Sequence, residues 1–462
     1  MASSTLPARW SSCASFRMEG GPVAACPCSV GAAAWRDALT LEPRTAATAG
    51  ATTASATSAR WQHAIIVFIW CIDMARIIAT ELRKGKALPG VLHAAVTMAL
   101  LVGATGCDGD SGPPPSEAQT FTAGDGTRFA AEVVMGGLEV PWSLAFAPDG
   151  RLFFTERPGR VRILADGRLD TEPALVVPDV GAIGEGGVMG LALHPDFANN
   201  HFVYLLYTAR REDGSTVNRL VRYREAGGRL GEAAVLLDSI GAANIHNGGR
   251  LRFGPDGKLY LTMGDRAQPS RAQDLASRNG KILRLNDDGT RPRDNPFSTL
   301  VFTWGHRNPQ GLDWHPTGVL LATEHGPTGN DEVNVIEAGR NYGWPVIQGS
   351  EQRPDMETPI QAYTPSIAPS GASFYTASLL PSFRGDFFFA TLRGQHLHRL
   401  RLDPANPRRV LLSERLMEGA FGRLRDVVTG PDGALYIATS NRDGRGSPVT
   451  DDDRILRVVP AR

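Results

Sequence analysis

The sequence predicts an all-β protein, a six-bladed β-propeller over residues 120–462, and three observations lead there. A Pro-Asp-Gly turn followed by a short apolar strand occurs at Pro148, Pro255 and Pro431, and variants stand at Pro195, Pro316 and Pro381, making six units. Their separations, roughly 47 to 65 residues, suit a four-stranded blade with loop insertions. The 51 Gly and 32 Pro among 462 residues favour many turns and short strands over long helices.

Strands within a unit follow from alternation. After Leu152-Phe153-Phe154-Thr155 comes a Pro158-Gly159 turn, then Val161 and Ile163 alternating with Arg160 and Arg162. Ring closure pairs residues 454–459 with an early strand near residues 129–134, which removes the exposed edges of a row of β units.

Ahead of the propeller, residues 1–73 are rich in Ala, Ser, Thr and Arg without periodicity and read as disordered or as foreign to the natural product. Residues 74–107 have the order of a lipoprotein-type signal peptide. Arg76, Arg83, Lys84 and Lys86 precede the apolar residues 91–102, then Gly103-Ala104-Thr105-Gly106-Cys107. Cys107 is the expected lipid-bearing residue, residues 108–119 the linker, and the periplasm or cell envelope the expected location. All five cysteines lie at or before Cys107, so the propeller has neither disulfide nor thiolate chemistry. Lys+Arg and Asp+Glu are equal at 48 each, which gives no field for nucleic acid or an anionic membrane.

Residues 244–265 hold the candidate chemistry. His246 stands before Gly248-Gly249, whose missing Cβ atoms let a ligand approach the backbone, and Asp265 ends the strand that follows. A carboxylate there holds an imidazole in the tautomer a general base needs. The same residues also fit an ordinary loop histidine beside a core strand. Arg307, Asn308, Arg393, Arg423 and Arg425 lie at the ends of different blades, and converging guanidinium forks suit a ligand with several carboxylates. Glu324-His325-Gly326-Pro327 and Asn330-Asp331-Glu332 form a loop cluster of calcium-type ligands without EF-hand spacing. Gly184-Glu185-Gly186-Gly187 lacks the dinucleotide spacing and leads into a strand, so a Rossmann site is rejected.

Several motifs in order are familiar: Val140-Pro141-Trp142-Ser143-Leu144, Gly184-Glu185-Gly186-Gly187 with His194-Pro195-Asp196-Phe197, His246-Asn247-Gly248-Gly249-Arg250-Leu251, Gly305-His306-Arg307-Asn308-Pro309-Gln310-Gly311 and Asn341-Tyr342-Gly343-Trp344-Pro345. Over about residues 130–460 the chain resembles the glucose/sorbosone dehydrogenase family, which includes soluble aldose sugar dehydrogenases using pyrroloquinoline quinone (PQQ). The resemblance implies a six-bladed propeller, PQQ and Ca²⁺ as cofactors, an aldose sugar as substrate, and a membrane quinone or small carrier as electron acceptor. It implies His246 as the base for the C1 hydroxyl and Asp265 as its orienting acid. Glu185, Arg307, Asn308, Arg393, Arg423 and Arg425 match cofactor contacts, the carbonyls of Gly326 and Pro327 match calcium ligands, and Glu332 and Tyr342 match a further calcium site. Glu185, Arg393 and Ile245 depart from the glucose-oxidising branch, which leaves a narrow glucose preference unsupported. A calcium-dependent lactonase and a non-catalytic, partner-binding propeller are the alternatives.

Overall fold

The computed structural model describes residues 118–461. The expected signal peptide, Cys107 and nearly all of the linker therefore lie outside the described residues. Six antiparallel sheets form the ring, and their innermost strands, Pro141–Phe146, Val188–Leu193, Leu251–Phe253, Pro309–Trp314, Pro369–Phe374 and Leu424–Thr429, pack side by side around the axis. These define blades 1 to 6.

Each of the six predicted turns joins the innermost strand of one blade to its second strand. In the three full copies, Asp149, Asp256 and Asp432 accept the N–H two residues on, at 3.1, 3.0 and 3.1 Å, and the next glycine takes a positive φ. Of the three variants, those at Pro195 and Pro381 are replaced by short helical turns at Phe197–Asn200 and Pro381–Phe383, and that at Pro316 keeps a turn with Gly318 at positive φ. All six turns thus lie at one face of the ring, and the loops that begin and end each hairpin lie at the other.

The ring closes as the sequence predicts. Ile455–Pro460 lies between Leu435–Thr439 and Arg128–Met135, with Ala131 opposite Val458, and Gln119–Thr122 completes a five-stranded blade 6. Apolar side chains form six clusters, one in each interface between adjacent blades. Each blade therefore buries its faces against two neighbours, and the apolar contribution of any one sheet depends on both. Every second strand carries a buried threonine, Thr155, Thr208, Thr262, Thr323, Thr391 or Thr439. Two of them tie neighbouring blades together: Thr155 Oγ1 donates to Met189 O at 2.8 Å and Thr323 Oγ1 to Ser370 O at 2.7 Å.

The axis is crossed by one ion pair. Arg250 of blade 3 meets Asp426 of blade 6 at 2.9 Å with side chains 1% and 0% exposed. Arg250 also donates to Gln310 O of blade 4 at 3.0 Å and to Ser143 Oγ of blade 1 at 3.3 Å, and lies over the Trp142 ring. Asp426 accepts the Leu144 N–H at 2.9 Å. Blade 5 admits the pair only because residue 371 is glycine, since a Cβ there would sit 1.8 Å from Asp426 Oδ1.

Removing one member of a buried pair leaves the other charge uncompensated. Asp426→Ala is expected to lose about 3–5 kcal/mol of stability, read from the urea unfolding midpoint, whereas Arg250→Met/Asp426→Leu recovers most of it.

Candidate active site

Every predicted site residue lies on the face opposite the six turns. His246 precedes the innermost strand of blade 3 and Asp265 follows its second strand, so the hairpin itself returns the carboxylate to the histidine. His246 Nδ1 lies 2.7 Å from Asp265 Oδ1, and Asp265 is fully buried. Oδ1 also accepts the Ala267 N–H and Oδ2 the Trp344 indole N–H, both at 2.8 Å. A carboxylate accepting from every side fixes the proton on Nδ1 and leaves Nε2 with its lone pair. Nε2 has no hydrogen-bond partner among the described residues, and the side chain is 11% exposed.

His246 has φ 62°, a strained value for a residue with a side chain. Two features hold it: Glu185 Oε2 accepts its N–H at 2.9 Å, and Gly264 leaves room for its carbonyl, which a Cβ would approach to 2.1 Å. Glu185 reaches it from blade 2, and Arg445 of blade 6 binds the other carboxylate oxygen at 2.8 Å. Burial would raise the Glu185 carboxyl, but His325, the His246 N–H and Arg445 hold it below its ordinary value.

Beside Glu185 opens a cavity of about 420 Å³, the size of a small-ligand site. Five arginines line it, Arg157, Arg393, Arg423, Arg425 and Arg445, against two carboxylates, Glu185 and Asp443. Arg423 is paired with Asp443 at 2.7 Å and Arg425 donates to Gln310 Oε1 at 2.9 Å. Burial pushes Arg425 down to about 9, a sign of guanidinium charge with too little counter-charge. Arg425 Nε, His325 Nε2, Asn308 Nδ2 and Arg307 Nε are buried without partners. Asn308 is oriented by its Oδ1, which accepts the Gly248 N–H at 3.0 Å.

A second space of about 10 Å³, room for one water-sized group, is lined by Gly326, Pro327, Glu332 and Tyr342 together with Arg307, His325 and Trp344. The sequence assigned the first two and the last two residues to separate calcium sites, and here they line one space. The carbonyls of Gly326 and Pro327 accept no backbone hydrogen bond. Burial, then the nearby Glu324, push the Glu332 carboxyl up to about 8. The Tyr342 hydroxyl is committed to the backbone, donating to Val335 O at 2.7 Å and accepting the Glu337 N–H at 2.8 Å. Asp331 is spent in the same way on Gly326 N, Ser366 Oγ, Ile367 N and Ala368 N.

The glucose/sorbosone dehydrogenase family model matches residues 138–456, the whole ring apart from its outermost closing segments. The chain belongs to this family. The aldose sugar dehydrogenase YliI of Escherichia coli is 33% identical over 346 residues, covering 68% of this chain and 90% of that protein. The PQQ-bound aldose sugar dehydrogenase of Streptomyces coelicolor is 35% identical with a TM-score of 0.65, covering 75% of this chain and 99% of that one. A Thermus thermophilus protein assigned as a glucose dehydrogenase is 46% identical with a TM-score of 0.66, covering 72% and 100%.

Of the predicted residues, Glu185, Arg393, Arg423 and Arg425 line the larger space, with Arg393 exposed, and Arg307, Gly326, Pro327, Glu332 and Tyr342 line the smaller. The two share His325, whereas His246, Asp265 and Asn308 line neither, and His246 is joined to the larger only through its N–H to Glu185. Arg157, Gln310, Asp443, Arg445 and the Trp344 contact were missed as site residues. The blade repeat could have found two of them: Arg157 and Asp443 follow the second strands of blades 1 and 6, as Asp265 follows that of blade 3.

Any cation that Gly326 O, Pro327 O and Glu332 held would stabilise the fold by linkage. Calcium at a hundredfold its Kd is expected to add about 2.7 kcal/mol, seen as a rise in Tm, and Glu332→Gln is expected to lose most of that rise.

Proposed function

We propose that this chain oxidises the C1 hydroxyl of an aldose to the lactone, with PQQ as its cofactor and a calcium ion beside it. The observation that carries the reading is the His246–Asp265 pair next to a cavity with five arginines, two carboxylates and several unpartnered donors. Three carboxylates on one small ligand would balance that excess, and the orphaned donors of Arg307, Asn308 and Arg425 would find acceptors. The family relatives support it through what they bind and act on.

Bound there, PQQ supplies a two-electron acceptor for the hydride leaving C1. The chain supplies the rest. His246 Nε2 takes the proton of the C1 hydroxyl, and Asp265 stabilises the imidazolium that results. Glu185 holds the His246 backbone, and with it the ring, in the position this requires. Arg423, Arg425, Arg307, Asn308 and Arg393 would hold the cofactor, together with Glu185 at the wall of the same cavity. Gly326, Pro327 and Glu332 would hold calcium, which would supply Lewis acidity beside the cofactor. Tyr342 supports that loop through its backbone hydrogen bonds and its ring, stacked on His306 at 4.7 Å.

A calcium-dependent lactonase draws no comparable support. It calls for side-chain carboxylates around the axis, and among the described residues no three Asp, Glu, His or Cys side chains form such a group. Cys107, after a basic and then an apolar stretch, supports export and a lipid anchor at the cell envelope.

Protein beginning at Asp108 and purified without cofactor is expected to reduce an acceptor dye with aldoses only after both PQQ and calcium are added. His246→Ala is expected to lower kcat by at least about 10²-fold, the scale of general-base catalysis, with quinone binding intact. Asp265→Asn is expected to lower it as well, through the wrong tautomer. Folded protein that binds no quinone, followed by fluorescence titration, overturns the reading.

A further inference from the structure

On the same face, between blades 2 and 3, runs a groove of about 570 Å³ lined by Arg211, Arg266, Arg271 and Arg278 with the hydroxyls of Ser215 and Thr216. No Asp or Glu lines it. Arg211 donates to Ser239 Oγ and Arg271 to Gln268 Oε1, neutral partners both. Arg266 Nε is buried with no partner at all. The arginines of the central cavity differ, since Arg423 and Arg445 are paired with carboxylates. In a chain of zero net charge, four unpaired guanidinium groups in one groove are a local concentration of repulsion that a bound anion relieves. The backbone makes room for the Arg266 guanidinium in the groove: a Cβ at residue 241 would sit 2.3 Å from Arg266 Nη1, and that residue is glycine.

The groove shares no lining residue with the arginine cavity, so its ligand is neither a cofactor bound there nor a part of it. Yet Arg266 follows Asp265 directly, and its N–H donates to His246 O at 3.2 Å. Aldose oxidation needs a second reactant that arrives after the sugar and leaves with its electrons. We infer that this groove docks that reactant, an anionic electron acceptor. The inference rests on the proposed sugar oxidation. With a one-electron acceptor the balance is one aldose and two acceptors giving one lactone, two reduced acceptors and two protons, one of which passes through His246. Guanidinium forks recognise such an anion by charge and by paired N–H donors, and steer its approach.

The test compares hexacyanoferrate(III), a trianion, with phenazine methosulfate, a cation, on full chain loaded with PQQ and calcium. Arg271→Ser/Arg278→Ser removes two exposed side chains. Its KM for hexacyanoferrate(III) is expected to rise about tenfold and to lose its salt dependence, with the aldose KM and the rate with phenazine methosulfate unchanged. An unchanged KM for the trianion, or equal losses with both acceptors, overturns the inference. If wild-type protein reduces neither acceptor, the oxidation reading fails, and calorimetry with hexacyanoferrate(II) then decides the groove alone. Binding that weakens about tenfold in the variant keeps the anion site. Absence of binding to the wild type overturns it.

Discussion

The buried Arg250–Asp426 pair is the constraint around which the ring is assembled. Six innermost strands meet at the axis, and a charge placed there is tolerable only if strands from opposite sides deliver its partner and its donors. Blades 1, 3, 4 and 6 all contribute hydrogen-bonding groups to the two side chains, and blade 5 contributes the absence of one, at Gly371. The pair fixes the register of strands that share no ladder. It lies beneath the arginine cavity in the chain's own terms: Gln310 gives its carbonyl to Arg250 and its side chain to Arg425. Fold and site meet in that one residue.

The reactive face is built from strand ends rather than from one motif. Each hairpin returns to the face it left, so residues before an innermost strand and after a second strand become neighbours. His246 and Asp265 are the clearest case, and Glu324 repeats it in blade 4, accepting from Arg307 N and Asn308 N and from His306 at 2.8 Å. Arg307, Asn308, His325 and Arg425 each keep a buried polar atom without a partner here, and a site that is to hold a ligand must withhold some hydrogen bonds from the fold.

Much of this was legible in the sequence. The Pro-Asp-Gly turns are local, with the aspartate and glycine acting within a few residues, so six blades could be counted without knowledge of packing. Closure of residues 455–460 on 128–135 followed from the need to remove edges. The His246–Asp265 pairing followed from one hairpin, and the family from ordered motifs. The rest depends on partners brought together only by the completed ring. Nothing near Arg250 in sequence announces Asp426, nothing near Glu185 announces Arg445, and the charge of the groove comes from Arg211 on one blade and Arg278 on the next. The residues of the two calcium assignments line one space because the hairpin Leu320–Glu324 to Asp331–Ile336 and the loop that carries Tyr342 fold onto one another.

Blade 6 takes strands from both ends of the described chain, and it also supplies Arg423, Arg425, Asp443 and Arg445. During synthesis, the strand at 128–135 must wait unpartnered on that side until residues 455–460 arrive. The cavity that blade 6 helps to line is therefore complete only when residues 455–460 have joined residues 128–135. A chain interrupted before that point carries its histidine and aspartate on a hairpin already formed but has no finished cavity beside them.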